Sequence, residues 1–201
     1  GEAVPEGPAV QPVGLSRPPE GEEVPVMRRI IAERMTRSKS TIPHYYLVVE
    51  VDVTELVALR REVFRRHGVR PSLNDFIVAA CARALREVSQ VGARWTEGGI
   101  EPLGRIHIGL AVALEEGLVV PVLRDVDALT VPELAQRSRA LIEKARTKRL
   151  TPGDCAGAAM TVTSLGTFGI DFFIPIIPPG QSAILAVGQA VDRPVVHLGK
   201  V

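Results

Sequence analysis

The chain has 201 residues, 46% of them hydrophobic and 23% charged, with a formal net charge of +1. That balance suits one globular domain with a sizeable core. It argues against nucleic acid or an anionic membrane as the main partner, and no apolar run reaches transmembrane length.

Residues 1–25 hold Pro5, Pro8, Pro12, Pro18, Pro19 and Pro25 among Gly and Glu, a composition that cannot pack a core. They read as a flexible linker, and a chain that opens this way is expected to continue from something upstream. There is no basic-then-apolar signal peptide. From Val26 the pattern becomes structured. Met27–Lys39 reads as a short basic helix with Ile30, Ile31 and Met35 on one side. His44–Val53, rich in Tyr and Val, reads as a strand. Thr54–His67 is helical and is stopped at Gly68. Ser72 with Asp75 three residues on makes a capping box for a longer helix, in which Leu73, Phe76, Ile77, Ala80, Ala84, Leu85 and Val88 recur at helical spacing. Arg105–Leu114 reads as an alternating strand and Leu118–Leu123 as an apolar one. Thr130 and Glu133 form a second capping box, opening a helix to about Thr147. Ala159–Ser164 and Ala183–Ala190 are further strands. The expected architecture is one α/β domain over residues 26–201, a mixed sheet flanked by helices. Cys81 and Cys155 lack metal-ligand spacing, so no metal site is expected; they read as reduced structural thiols of a cytoplasmic protein.

Met160-Thr-Val-Thr-Ser-Leu-Gly-Thr-Phe-Gly169 carries the most chemistry. A β-branched strand runs into hydroxyl residues and two glycines, which places Thr163 and Ser164 where the backbone must turn. A hydroxyl at a strand end can stabilise developing negative charge in an adjoining channel, although a Thr there is also an ordinary strand former.

Eight segments line up in order: Met27–Met35, Thr41-Ile-Pro-His-Tyr45, Val51–Leu56, Ser72-Leu-Asn-Asp-Phe-Ile77, Ile108–Val112, Gly117-Leu-Val-Val-Pro-Val122, Thr161–Gly166 and Ala183-Ile-Leu-Ala-Val-Gly188. Together they resemble the catalytic domain of the dihydrolipoamide acyltransferases of the 2-oxo acid dehydrogenase complexes. The resemblance implies a chloramphenicol-acetyltransferase-like fold, assembled as homotrimers into a cubic or dodecahedral core. It also implies an upstream lipoyl domain, and a small domain binding the 2-oxo acid dehydrogenase and dihydrolipoamide dehydrogenase. The implied reaction moves an acyl group from a dihydrolipoyl thioester to the thiol of coenzyme A, a substrate here.

A thiol attacks well only once deprotonated, so the reaction uses a general base, and its tetrahedral oxyanion needs a positioned donor. The resemblance implies Thr163 as that donor, with Ser164 beside it. It implies Arg60 near the 3′-phosphate of coenzyme A, a role for which a guanidinium fork is suited. The other reading of Arg60 is a solvated basic face with Arg61, Arg65, Arg66 and Arg70. Phe173 and Leu185 match positions lining the pantetheine path, or are plain core. The family's histidine stands in an Asp-His-Arg-x-x-Asp-Gly segment that residues 1–201 do not contain. His197 precedes a turn and does not match it. His44 reads as structural or solvent-facing, His67 as a helix-end cation, and His107 as a surface residue in a strand. The expectation is therefore a catalytic domain lacking its C-terminal end and inactive alone, with Val195–His197 deprived of a hairpin partner. The alternative is a non-catalytic scaffold or binding subunit of the same type of complex. A weaker reading is a basic-helix polyanion binder over Leu59–Arg70. Ile176-Ile-Pro-Pro-Gly180 departs from the family's usual Ile-Ile-Asn-Pro-Pro in lacking the Asn.

Overall fold

The computed structural model describes residues 23–195 apart from 97 and 103. In chain order it contains α1 (Val26–Thr41), α2 (Thr54–His67), α3 (Leu73–Glu87), β1 (Arg94–Thr96), β2 (Gly99–Glu101), β3 (Ile108–Leu110), β4 (Val112–Leu114), β5 (Gly117–Val119), β6 (Val122–Leu123), α4 (Val131–Arg146), β7 (Met160–Ser164) and β8 (Ala183–Val187). The first 22 residues, including most of the expected linker, lie outside the described residues, as does His197.

Both expected capping boxes form. Ser72 Oγ accepts the Asp75 N–H at the start of α3, and Thr130 Oγ1 accepts the Glu133 N–H at the start of α4; each carboxylate answers on the cap backbone. Such a cap is worth about 1 kcal/mol. The apolar stripe of α3 then packs with α4 on one sheet face. Val78, Ala82, Leu85 and Leu134 meet Ile108, Leu110, Met160 and Val162, all buried. One polar contact ties the two helices inside this layer: the Ser138 hydroxyl donates to Asp75 Oδ1 at 2.5 Å. A buried hydrogen bond to a carboxylate contributes about 1.5–3 kcal/mol.

The main sheet has the order β6-β3-β7-β8, with β6 antiparallel to β3, and with β3, β7 and β8 parallel. It is the mixed sheet expected from the sequence. All three residues of β3 are buried, as suits a central parallel strand. Arg105–Leu114 is not one strand, however. The chain leaves the main sheet at Ala111, and β4 pairs with β5 as a separate two-stranded ribbon. Leu118–Leu123 is divided likewise, at Pro121, which has no N–H to give to a ladder.

The largest departure is His44–Val53, which forms no strand. No residue of the segment is assigned to a strand, and Tyr45, Leu47, Val49 and Val51 are 81%, 83%, 79% and 71% exposed. Its residues have strand chemistry, but no neighbouring edge reaches them within the described residues. A β1–β2 hairpin, pairing Arg94 with Glu101, was not expected.

Candidate active site

Because β3, β7 and β8 are parallel, Leu110, Ser164 and Val187 end them at the same edge of the sheet. Ligands of open α/β sheets gather outside such carboxyl ends. After Ser164 the backbone tightens into a 3-10 turn at Gly166–Phe168 and folds back against the end of β8. Leu165 N–H donates to Val187 O at 3.1 Å, and Gln189 N–H to Ile170 O at 2.9 Å. The approach is so close that a Cβ on Gly166 would stand 2.6 Å from Gly188 O, and one on Gly188 only 1.8 Å from Asp171 O. Only glycine fits at either place, so the two glycines fix where β7 stops and how Thr163 is presented.

Thr163 pairs in register with Ala186, and Ser164 with Val187. Adjacent residues of a strand face opposite sides, so the two hydroxyls diverge. Ser164 turns to the helix side. There it lines a cavity of about 100 Å³ with Ser72, Asn74, Asp75, Ser138 and Val162. The Asp75 carboxylate is satisfied within that wall, taking Ser72 N–H at 2.7 Å and Ser72 Oγ at 2.8 Å besides Ser138. Thr163 turns to the other face. It is half-buried, and its hydroxyl makes no hydrogen bond among the described residues. On the same face Thr161 is different, being buried and donating to Gln181 Oε1 at 2.7 Å.

The remaining candidate residues are not gathered around Thr163. Leu185 is in register with Val162, which puts it on the Ser164 side of the sheet, 37% exposed. Phe173 is half-buried in the loop after β7, among exposed Phe172 and Ile174. Arg60, on α2, donates from Nε to Pro71 O at 2.7 Å, pinning α2 to the segment that opens α3.

The segment around the missing Asn is ordered by other means. Pro178 O accepts Gln181 N–H at 3.1 Å, with Pro179 then Gly180 at φ 84° between them. That is a type II turn, in which Gly supplies the positive φ. Just before it, Ile177 is held from both sides: Ser38 Oγ donates to Ile177 O at 2.6 Å, and Ile177 N–H donates to His44 Nε2 at 3.2 Å.

Two of the described histidines, His44 and His107, are occupied elsewhere. His44 Nδ1 lies 2.8 Å from Ile42 O, so with Nε2 accepting from Ile177 both ring nitrogens serve the scaffold. His107 is half-buried outside any strand, correcting its expected surface strand position; its Nδ1 accepts Asp125 N–H at 3.1 Å, because the left-handed backbone of Asp125 aims that N–H at the ring. It precedes β3, at the end of the sheet away from Thr163. His67 ends α2 in solvent. Burial pushes the Cys81 thiol up to about 11, and Cys155 is raised for the same reason, so neither is poised as a nucleophile. Among the described residues no group of His, Cys, Asp and Glu has the makings of a metal site, and no helix is long and apolar enough to cross a membrane.

Residues 17–201 match the family model described as the catalytic domain of 2-oxoacid dehydrogenases acyltransferase. Over 174 residues the chain is 39% identical to the dihydrolipoyllysine-residue acetyltransferase component of the pyruvate dehydrogenase complex of Rickettsia bellii (strain RML369-C), covering 85% of this chain and 42% of that protein. It is 38% identical over 178 residues to the mitochondrial pyruvate dehydrogenase protein X component of Mus musculus, covering 88% and 35%. It thus spans less than half the length of these relatives. The solved dihydrolipoamide acetyltransferase of Azotobacter vinelandii superposes with a TM-score of 0.82 at 35% identity, covering 94% of this chain and 81% of that one. That enzyme was investigated for the catalytic roles of a serine, a histidine and an asparagine. The cubic core of a pyruvate dehydrogenase multienzyme complex superposes at 0.83 with 34% identity, covering 94% and 81%. The fold is accordingly chloramphenicol-acetyltransferase-like. Sequence and fold agree over the same span, and the chain belongs to the family of 2-oxoacid dehydrogenase acyltransferase catalytic domains.

Proposed function

We propose that this chain is the core domain of a dihydrolipoamide acyltransferase, moving an acyl group from a dihydrolipoyl thioester to coenzyme A. The observation that carries the reading is Thr163. Its hydroxyl stands at the carboxyl end of β7, half-buried, fixed by the Gly166–Gly188 contact and without an internal partner. A donor held this way costs no reorganisation when the thioester oxygen becomes an oxyanion, and one such donor is worth about 3–4 kcal/mol of barrier. Its role is to donate to that oxygen while the coenzyme thiolate attacks the carbonyl carbon. The proton of the thiol must go to a base, and His44 and His107 are engaged in the scaffold, while His67 ends α2 in solvent. A base beyond the described residues, such as the histidine of an Asp-His-Arg-x-x-Asp-Gly segment, would complete the site. Transfer from S-acetyldihydrolipoamide to coenzyme A, with and without such a segment appended, tests this reading.

The same reading makes the protein one member of a larger core of trimers. What supports it is the exposed Tyr45–Val51 segment, whose apolar residues have strand chemistry and no strand partner. Lipoyl and dehydrogenase-binding partners upstream, and a cytoplasmic location, belong to this proposal. Light scattering that gave a stable monomer at micromolar concentration would remove the assembly part. The second reading, a non-catalytic scaffold, is favoured by the similarity to the mouse X component, whose name carries no transferase activity. Appending the histidine segment separates the two, because a scaffold gains no turnover from it.

A further inference from the structure

Ile177 lies in the loop between β7 and β8, and both of its backbone groups are held by side chains. Ser38, fully buried near the end of α1, donates to its carbonyl at 2.6 Å, and its N–H donates to His44 Nε2 at 3.2 Å. The two holders are tied to each other as well. Ile42, the C-cap of α1, donates its N–H to Ser38 O at 2.9 Å, and His44 Nδ1 stands 2.8 Å from Ile42 O. Ser38, Ile42, His44 and Ile177 thus close a ring of hydrogen bonds. The ring has one protonation state. A carbonyl only accepts, so Nδ1 carries the proton, and an amide N–H only donates, so Nε2 is bare.

From Ile177 the hold passes to the sheet. The turn that begins at Pro178, with Pro178 O accepting Gln181 N–H at 3.1 Å, brings Gln181 Oε1 to the Thr161 hydroxyl at 2.7 Å. Gly109 of β3, in register with Thr161, leaves the room for that contact, because a Cβ there would stand 2.7 Å from Thr161 Oγ1. Thr161 precedes Thr163 by two residues on β7, so the two side chains share a face about 7 Å apart. The turn therefore rests on the Thr163 face of the sheet, opposite α3 and α4.

We infer that His44 is a positioning residue: as a neutral imidazole with its proton on Nδ1 it holds residues 176–181 beside Thr163, and protonation at Nε2 releases them. The consequence for acyl transfer rests on the function proposed above; the clamp itself does not. Protonation turns the acceptor into a donor and sets two N–H groups against each other. The titratable groups beside the ring are Tyr46, with ring centroids 6.2 Å apart, and Lys39, which donates to the Tyr46 hydroxyl and lies 5.2 Å from that ring. Ser38 and Ile177, on the other elements, bring no titratable group. Among the described residues no carboxylate pairs with His44, so no counter-charge would replace the lost hydrogen bond.

The test is hydrogen exchange read by mass spectrometry over residues 174–188, for the chain and for His44→Ala and His44→Gln. Glutamine places an amide oxygen where Nε2 stands and does not titrate. At pH 8 the amides of residues 176–181 are expected to exchange about tenfold faster in His44→Ala, with His44→Gln close to the unaltered chain. Between pH 8 and pH 5, a span that crosses the ordinary imidazole titration at about 6.5, protection is compared after correction for intrinsic exchange. It is expected to fall in the unaltered chain and in His67→Gln, and to hold in His44→Gln. Melting temperature checks that each variant folds. Equal protection in His44→Ala and the unaltered chain, or a pH response that persists in His44→Gln, would overturn the inference. In the chain carrying the Asp-His-Arg-x-x-Asp-Gly segment, His44→Ala is expected to lower kcat about tenfold with KM little changed, and His44→Gln to restore it. An open clamp with unchanged kcat would overturn the positioning role and leave the transferase reading standing. Absence of turnover in that chain with His44 intact would contradict the transferase reading, while the exchange result still decides the clamp.

Discussion

Two halves of this domain use the same apolar chemistry to opposite ends. In the α3–α4–sheet half, Val78, Leu134, Ile108 and Val162 are at most 3% exposed and close on one another. In the other half, Tyr45–Val51 and the loop 168–174 present Tyr, Leu, Val and Phe side chains to solvent. The first half is complete in one chain. In the proposed assembly the second would be completed by a partner, because a monomer gains nothing from exposed apolar residues of strand chemistry and risks aggregation. Arg193 is the bridge within the open half, reaching Glu50 at 3.4 Å and Asp171 at 3.4 Å. Stability belongs to the closed half, and the proposed donor Thr163 lies on its boundary with the open one.

The sharpest way to break that division is Thr163→Ala in a protein carrying the Asp-His-Arg-x-x-Asp-Gly segment. Turnover is expected to fall about 100- to 1,000-fold with the melting temperature unchanged. A similar loss from Ser164→Ala would put the donor on the wrong face; the expected effect there is under tenfold, because Ser164 faces the helix-side cavity. Leu134→Ala should do the reverse of Thr163→Ala, costing about 2–5 kcal/mol in denaturant unfolding. Leu47→Ser, in the open half, should leave single-chain stability within about 0.5 kcal/mol and instead reduce particle size in sedimentation. Ser138→Ala removes the buried donor to Asp75 and should cost about 2 kcal/mol.

The smallest effect is one of pH. Asp154 is held below its usual value chiefly by the Lys144 hydrogen bond, and Glu133 by the Thr130 N–H. A carboxyl lowered in the folded state contributes stability that is present above its ordinary value and is lost as pH falls through the folded one. The melting temperature should therefore begin to drop near pH 4 and continue downward, and Thr130→Ala should flatten part of that slope.

How much of this was legible follows from the range of each interaction. The helices, their caps at Ser72 and Thr130, and the strand cores were legible because they depend on neighbours within a few residues. The strand end at Thr163 and Ser164 was legible through its motif, but the divergence of the two hydroxyls needed the register with β8. The Asp75–Ser138 contact spans 63 positions and left no local signal. Tyr45–Val51 misled for the opposite reason. Its residues have strand propensity, yet a strand exists only where another edge accepts its hydrogen bonds. The β1–β2 hairpin had one available signal, Gly98-Gly99 between Trp95 and Ile100, in strands of only three residues each.

Acetyl transfer from S-acetyldihydrolipoamide to coenzyme A, measured for the 201-residue chain alone and for the same chain bearing the histidine segment, is the most direct test. The account predicts no turnover above the uncatalysed rate in the first case and clear turnover in the second. Turnover by the chain alone would mean that a base lies within these residues, and would contradict the reading of Thr163 as one half of a site completed from outside.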